Sequence, residues 1–258
     1  MKSTGAAVEA KRIAPRMHAL SAGGRADSPD APNAAEWQAG RIIEPTVTNL
    51  FWVFTAASFV GLVVETIVSY PIDGVWKNRA GFLWGPFSPI YGAGAVLMTL
   101  LLNRSGGRPA IAVFAEAAVA GGAFELAAGW FWNHAFGIVA WSYIDKPFNI
   151  GGYTCLEVSL VWGAAGLAWA RIALPWIARA IARVPRRVLA PLTAAGIAFM
   201  ALDAAATLTA LDCWFDRLSG QTPDTPLQMF FDEHYGNAFM ERHFQTMSLY
   251  PEIATLNR

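Results

Sequence analysis

Five long apolar stretches run through this chain, and a bilayer would admit them in one form only. Hydrocarbon offers no water to satisfy backbone N–H and C=O groups, so a crossing segment that is not part of a closed barrel must be helical. A crossing helix takes about 20 residues. Thr46–Tyr70, Leu83–Leu102, Pro109–Trp132, Tyr153–Leu174 and Val188–Leu211 each meet that length. Of the 258 residues, 55% are hydrophobic and 15% are charged, against about 25% charged in an ordinary soluble domain. The predicted fold class is all-α: a polytopic membrane helix bundle of about five transmembrane helices. Its predicted parts are a disordered segment over 1–44, the bundle over 45–211, and a short acidic tail over 212–258. The second stretch is the weakest span. Pro86 and Pro89 lie near its start, so a regular helix should begin only near Ile90, with a re-entrant stretch before it.

Loop charge sets orientation in such proteins. The N-terminal segment carries Lys2, Lys11, Arg12, Arg16, Arg25 and Arg41. Arg104 and Arg108 separate spans two and three, and Arg171, Arg179, Arg183, Arg186 and Arg187 follow span four. These regions fall on one side of a five-span protein and hold 13 of its 19 basic residues. That side is predicted to be cytoplasmic, in a multi-pass protein of the inner (plasma) membrane. The N-terminus is then inside and the C-terminus outside. Between spans four and five, Trp176, Ile177, Ala180, Ile181 and Val184 recur at helical spacing opposite arginines, which predicts a short interfacial helix lying on lipid. Net charge is zero, giving no electrostatic case for a nucleic-acid partner. No phosphate-binding G-x-x-x-x-G-K-[ST] run occurs, so coupling to ATP would require a separate ATPase subunit.

The spans carry five acids: Glu65, Glu116, Glu125, Glu157 and Asp203. A charge at the bilayer centre costs about 2.5–3.5 kcal/mol on insertion scales. Under the predicted orientation, four of them lie about 6–12 Å below the outer surface, at about 1.5 Å per residue. Glu116 lies apart, in the inner half. Two readings follow. Glu65, Glu125 and Glu157 could line an outward-opening polar chamber for a cation, a proton or an amine-bearing solute. Alternatively, these acids pair with Lys77, Arg79 or Lys146 and only fix the loops.

Two irregular stretches lie on the predicted outer side. The first runs from Asn78 through Arg79, Gly85, Pro86 and Pro89 to Tyr91 and Gly92. The second runs from Trp141 through Tyr143, Lys146, Asn149 and Gly152 to Glu157. Together they resemble the CmpB family of putative ABC-transporter permeases, type IV. Asn78 to Gly92 is similar to that family's N-R-G-F-L-x-G-P-x-x-P-I-Y-G, with Ala80 inserted. Gly61 to Glu65 resembles its G-W-x-x-E end of the first helix, and Glu125 with Phe136-Gly137 resembles a further acidic pattern. Trp141, Tyr143, Pro147 to Ile150, Gly152, Cys155 and Leu156 resemble the W-D-Y-S and P-F-N-I-x-G-R-I-C-L patterns, with Tyr153 where the family carries Arg. The resemblance implies an integral membrane protein with a transport role.

The function expected is a permease-like subunit that binds or moves a small solute or ion. The candidate residues are Glu65, Arg79, Tyr91, Glu125, Asn149 and Glu157, with Asn78 and Asp203 secondary. A membrane enzyme acting at the outer leaflet and a non-catalytic scaffold are the alternatives. No catalytic residue, cofactor or metal is assigned. The lipid bilayer, an ATPase subunit and a second copy of the chain are the partners this reading admits. Cys155 and Cys213 both fall at outer helix ends. His234 and His243 lack metal-binding spacing and read as part of an amphipathic tail helix whose Phe230, Phe231, Phe239 and Phe244 touch the membrane or the bundle.

Overall fold

The computed structural model describes residues 40–250. Helix α1 (Val47–Asp73) is opened by Thr46, whose side chain accepts the Asn49 N–H, and is closed by Gly74 in the left-handed conformation. An irregular stretch follows, and α2 (Pro89–Leu102) begins at its proline, where a missing N–H costs nothing. The expected late start of this helix is therefore observed. Helix α3 (Ala110–Phe136) ends on Gly137, at φ 63°. Strand β1 (Ile138–Val139) and a second irregular stretch lead into α4 (Leu156–Ala182). Helix α5 (Arg186–Leu218) is the longest, at 33 residues. Two short helices, α6 (Pro226–His234) and α7 (Asn237–His243), and strand β2 (Ser248–Leu249) complete the chain.

Among the described residues four helices, α1, α3, α4 and α5, are long and apolar enough to cross a membrane, while α2 is apolar but has only 14 residues. The bundle therefore has four long members and one short. Its neighbours pack through small residues, as expected where lipid removes the hydrophobic drive between helices. A side chain at Gly121 of α3 would collide with Trp162 of α4, so the glycine is what lets these two helices meet. Met98, Leu102, Val113, Ala117 and Ala170 are buried together where α2, α3 and α4 converge.

Alternating helix directions give the bundle two ends. At the basic end, Asn103 accepts the Ile42 and Ile43 N–H groups at 3.0 and 2.9 Å and donates to Ile43 O at 2.7 Å. Residues 40–44, which the sequence assigns to the disordered segment, are thus pinned in part by α2; residues 1–39 lie outside the described residues. Arg171 donates to Arg108 O at the same end, at 2.6 Å.

The interfacial helix expected after span four is instead a continuation of α4. A π-helical turn, Trp169–Ala173, precedes Pro175 and joins the two parts. Such a turn accommodates the hydrogen bond and space that a proline ring removes. Ile177, Ala178 and Ile181 pack on Ile43, Val53, Ala57, Ala95 and Leu174, so part of that face meets protein, while Trp176 stays exposed.

The tail also differs from expectation. Its first residues extend α5, and the remainder folds back as a cap. Leu83, Ile138, Ala210, Leu211, Cys213, Trp214, Phe231, Met240 and Phe244 form one buried cluster. β2 pairs antiparallel with β1, and the Tyr250 N–H reaches Gly137 O at 2.8 Å. Arg217 binds Asp232, Asn237 and Tyr235 O, tying α5 to the two short helices. The cap owes its shape to this aromatic cluster and not to membrane contact alone.

Candidate functional site

Each acid on the spans has a distinct environment. Glu65, two turns from the end of α1, accepts a 2.6 Å hydrogen bond from Arg79 Nη1. Arg79 comes from the irregular stretch that α2 terminates. Gly61, one turn before Glu65, leaves room for the Tyr91 ring to cross α1. The Tyr91 hydroxyl lies beside the Glu65 carboxylate and within the field of Arg79. Three of the predicted residues are therefore together.

Glu125 of α3 is buried and accepts a hydrogen bond from Tyr143 Oη at 2.9 Å. Tyr143 lies in the second irregular stretch. Burial, then the Glu125 charge, push its phenol well above the usual range, and Glu65 adds to the effect. Tyr143 also feels Tyr91. It lies within electrostatic reach of the Glu65–Arg79–Tyr91 group while bonding Glu125. Thr154 and Trp162 complete the surroundings of Glu125. The Glu125 Oε2 and Thr154 Oγ1 atoms are buried without a hydrogen-bond partner among the described residues.

The other predicted residues lie elsewhere. Glu157 lies apart from Glu65 and Glu125 and makes the lysine pair of the second reading. It sits in the first turn of α4, two-thirds exposed, and pairs with Lys146 at 2.9 Å. A carboxylate there complements the helix dipole, and the contact raises the Lys146 ammonium. Asn149 binds its own loop: it donates to Ile144 O and Lys146 O and accepts the Gly152 N–H. Asn78 accepts from Ala80 N and is held through its own N–H by Gln245. Asp203 is fully buried and clamps the first irregular stretch. It accepts the Trp84 N–H at 3.0 Å, beside Thr207, which accepts the Leu83 N–H at 2.9 Å. Glu116 pairs with Arg108 at 2.7 Å.

A separate open cleft of about 270 Å³ lies between the end of α3 and the second irregular stretch, lined by Trp132, Asn133, Trp141, Ser142 and Tyr153 among others. Tyr153 donates to Asn133 Oδ1 at 3.1 Å, so at the position where the family pattern has Arg it makes a neutral contact. Cys155 and Cys213 are buried free thiols.

A family model described as putative ABC-transporter type IV matches residues 52–208, more than half of the chain. The chain belongs to that family. No curated protein and no solved structure matches it. The type IV match spans both irregular stretches and all five acids. It ends before the cap, whose aromatic cluster closes over the family's loops. The apolar helices and the type IV family together make this a membrane protein of transporter type.

Sequence reasoning missed Tyr143, Thr154 and Trp162 as site residues. Tyr143 and Thr154 lay inside the second irregular stretch, and their closeness to Glu125 depends on how that stretch folds back after Gly137. Trp162 lies six residues beyond Leu156 on an apolar helix, and no pattern distinguished it from its aromatic neighbours.

Proposed function

We propose that this chain is the membrane-embedded, permease-like subunit of a transporter. Its site for a small cationic or amine-bearing solute, or an ion, is the polar group Glu65, Arg79, Tyr91, Tyr143 and Glu125. The observation carrying this reading is the position of Tyr143, bonded to Glu125 and near the Glu65–Arg79 pair. The Tyr143 phenol hydrogen-bonds Glu125 and lies within the electrostatic reach of Glu65, on a different helix. Intramembrane acids so clustered are functional candidates. The basic end faces the cytoplasm and the cap end faces out, in the inner (plasma) membrane. Access alternates about the acidic group. A separate ATPase subunit supplies coupling, and a second copy of the chain is admitted as a further partner.

The test is ligand-dependent melting of the purified protein in nanodiscs, using a panel of small amines, cations and neutral solutes. One chemical class should raise the melting temperature saturably. Glu65→Gln or Glu125→Gln should weaken that response at least tenfold while leaving folded yield near wild type. No response to any class, or an undiminished response in both variants, overturns the proposal.

A further inference from the structure

The open cleft of about 270 Å³ at the cap end of α3 takes no part in the polar group just described. Its volume lies just under the roughly 300–1,000 Å³ of drug-sized ligand sites, so it suits a small solute. Trp132 on α3 lines it, with Trp141 and Tyr153 from the second irregular stretch. Asn133 and Ser142 add neutral polar groups, and none of the described residues lining the cleft is charged. Gly129, also in its wall, follows Glu125 by one turn of α3. The cleft therefore lies about 6 Å along the helix from that acid, toward the cap.

The rings are fixed in place by their own contacts. A Cβ at Gly129 would lie 3.2 Å from Tyr153 and 3.3 Å from the Trp141 ring, so both side chains rest on bare α3 backbone. Trp141 Nε1 donates to Tyr153 O at 2.8 Å, and the Tyr153 hydroxyl donates to Asn133 Oδ1 at 3.1 Å. Side chains held in this way lose little freedom when a ligand arrives.

The same bonds restrict what can enter. A primary ammonium brings three N–H donors that need acceptors. Here Tyr153 O is taken by Trp141 and Asn133 Oδ1 by Tyr153, and the lining offers no carboxylate. A sugar would ask the same few polar groups to serve several hydroxyls. An anion meets no cationic side chain in the wall. A quaternary ammonium has no N–H to satisfy, and aromatic rings attract its charge without any acceptor.

We propose that this cleft captures a small free solute bearing a quaternary ammonium group. The inference rests on the proposed transport site and names its substrate class. The rings take the cationic head at the cap end, one turn short of Glu125.

The test is isothermal titration calorimetry on the full chain in phosphatidylglycerol nanodiscs, with choline, ethanolamine and the uncharged isostere of choline in which carbon replaces nitrogen. Choline should bind saturably and at least tenfold more tightly than either. Trp132→Leu removes a ring and Ser142→Lys places a cation in the cleft, and each should weaken choline binding at least tenfold. Ser142 is exposed, so its variant keeps the inference testable if Trp132→Leu fails to fold. No choline binding, equal binding of choline and its isostere, or affinity unchanged in Ser142→Lys overturns the inference. In phosphatidylcholine nanodiscs the affinity should stay the same; competition there would make the occupant a lipid headgroup and overturn the assignment to a solute. Choline binding that is lost in the cleft variants but survives Glu65→Gln and Glu125→Gln leaves this inference standing and sinks the acidic solute site. A response to primary amines or inorganic cations that is lost in the glutamine variants but ignores the cleft variants does the reverse.

Discussion

Tyr143 determines more of the site than any acid does. Its hydroxyl bonds Glu125, and burial with that charge raises its ionisation above the ordinary value of 10.0. The consequence for pH follows from linkage. A phenol raised in the fold keeps its proton where the unfolded chain has lost it. Its stabilising contribution is fully present below about pH 10 and is lost as pH rises through the folded value. The melting temperature should therefore begin to fall above about pH 10, and Tyr143→Phe should flatten that fall. An equally steep decline in the variant would remove Tyr143 from this role. The sequence made Glu65, Arg79 and Tyr91 legible because an acid at the end of one span was followed by a loop motif carrying a cation and a ring. For Glu157 it left two readings open, a chamber wall or a pair with Lys146, and the Lys146 pair is the one formed. A carboxylate at a helix start satisfies the helix dipole and a nearby lysine, and its place in the chain does not distinguish that from facing a chamber.

Among elements, the helices were the most legible, because the bilayer forces apolar runs of that length into one conformation. Pro89 marked the start of α2 correctly. Helix ends were less legible. The π-turn at Trp169–Ala173 lets α4 run through Pro175, where a proline would otherwise argue for a break. That the tail's phenylalanines would touch the membrane or the bundle was legible, but which bundle residues they meet was not, since those partners lie far away in sequence. His243 Nε2 donates to Phe82 O at 2.8 Å, and Gln245 accepts the Asn78 N–H at 2.8 Å. These bonds hold the stretch that delivers Arg79. His243→Phe keeps a ring against Phe239 and Phe244 but loses the bond, at a cost of about 0.5–1.5 kcal/mol. Hydrogen exchange should quicken across residues 78–88 and stay unchanged in α3 and α4. Unchanged exchange across 78–88 would show that the cap does not restrain them.

Across the whole molecule, the two ends carry different chemistry. Arg104, Arg108, Arg183, Arg186 and Arg187 gather at one end, and the folded cap occupies the other. Orientation can be read with a membrane-impermeant maleimide, leaving the native cysteines in place because both are buried. Gln221→Cys should label in intact cells and Arg187→Cys only after lysis; the opposite pattern reverses the proposed topology. Only 17–28% of the most apolar window in each long helix is buried inside the chain, so lipid or another subunit covers the rest.

The 14-residue length of α2 also sets an electrical quantity. At about 1.5 Å per residue it covers about 21 Å, against about 30 Å of hydrocarbon. Where polar loop and cap take the place of the missing turns, the insulating layer is thinner. The same voltage then falls over roughly two-thirds of the usual distance, and the local field steepens by about half. A charge passing Tyr91 would experience most of the membrane potential, worth about 2.3 kcal/mol per 100 mV, within about four turns of one short helix.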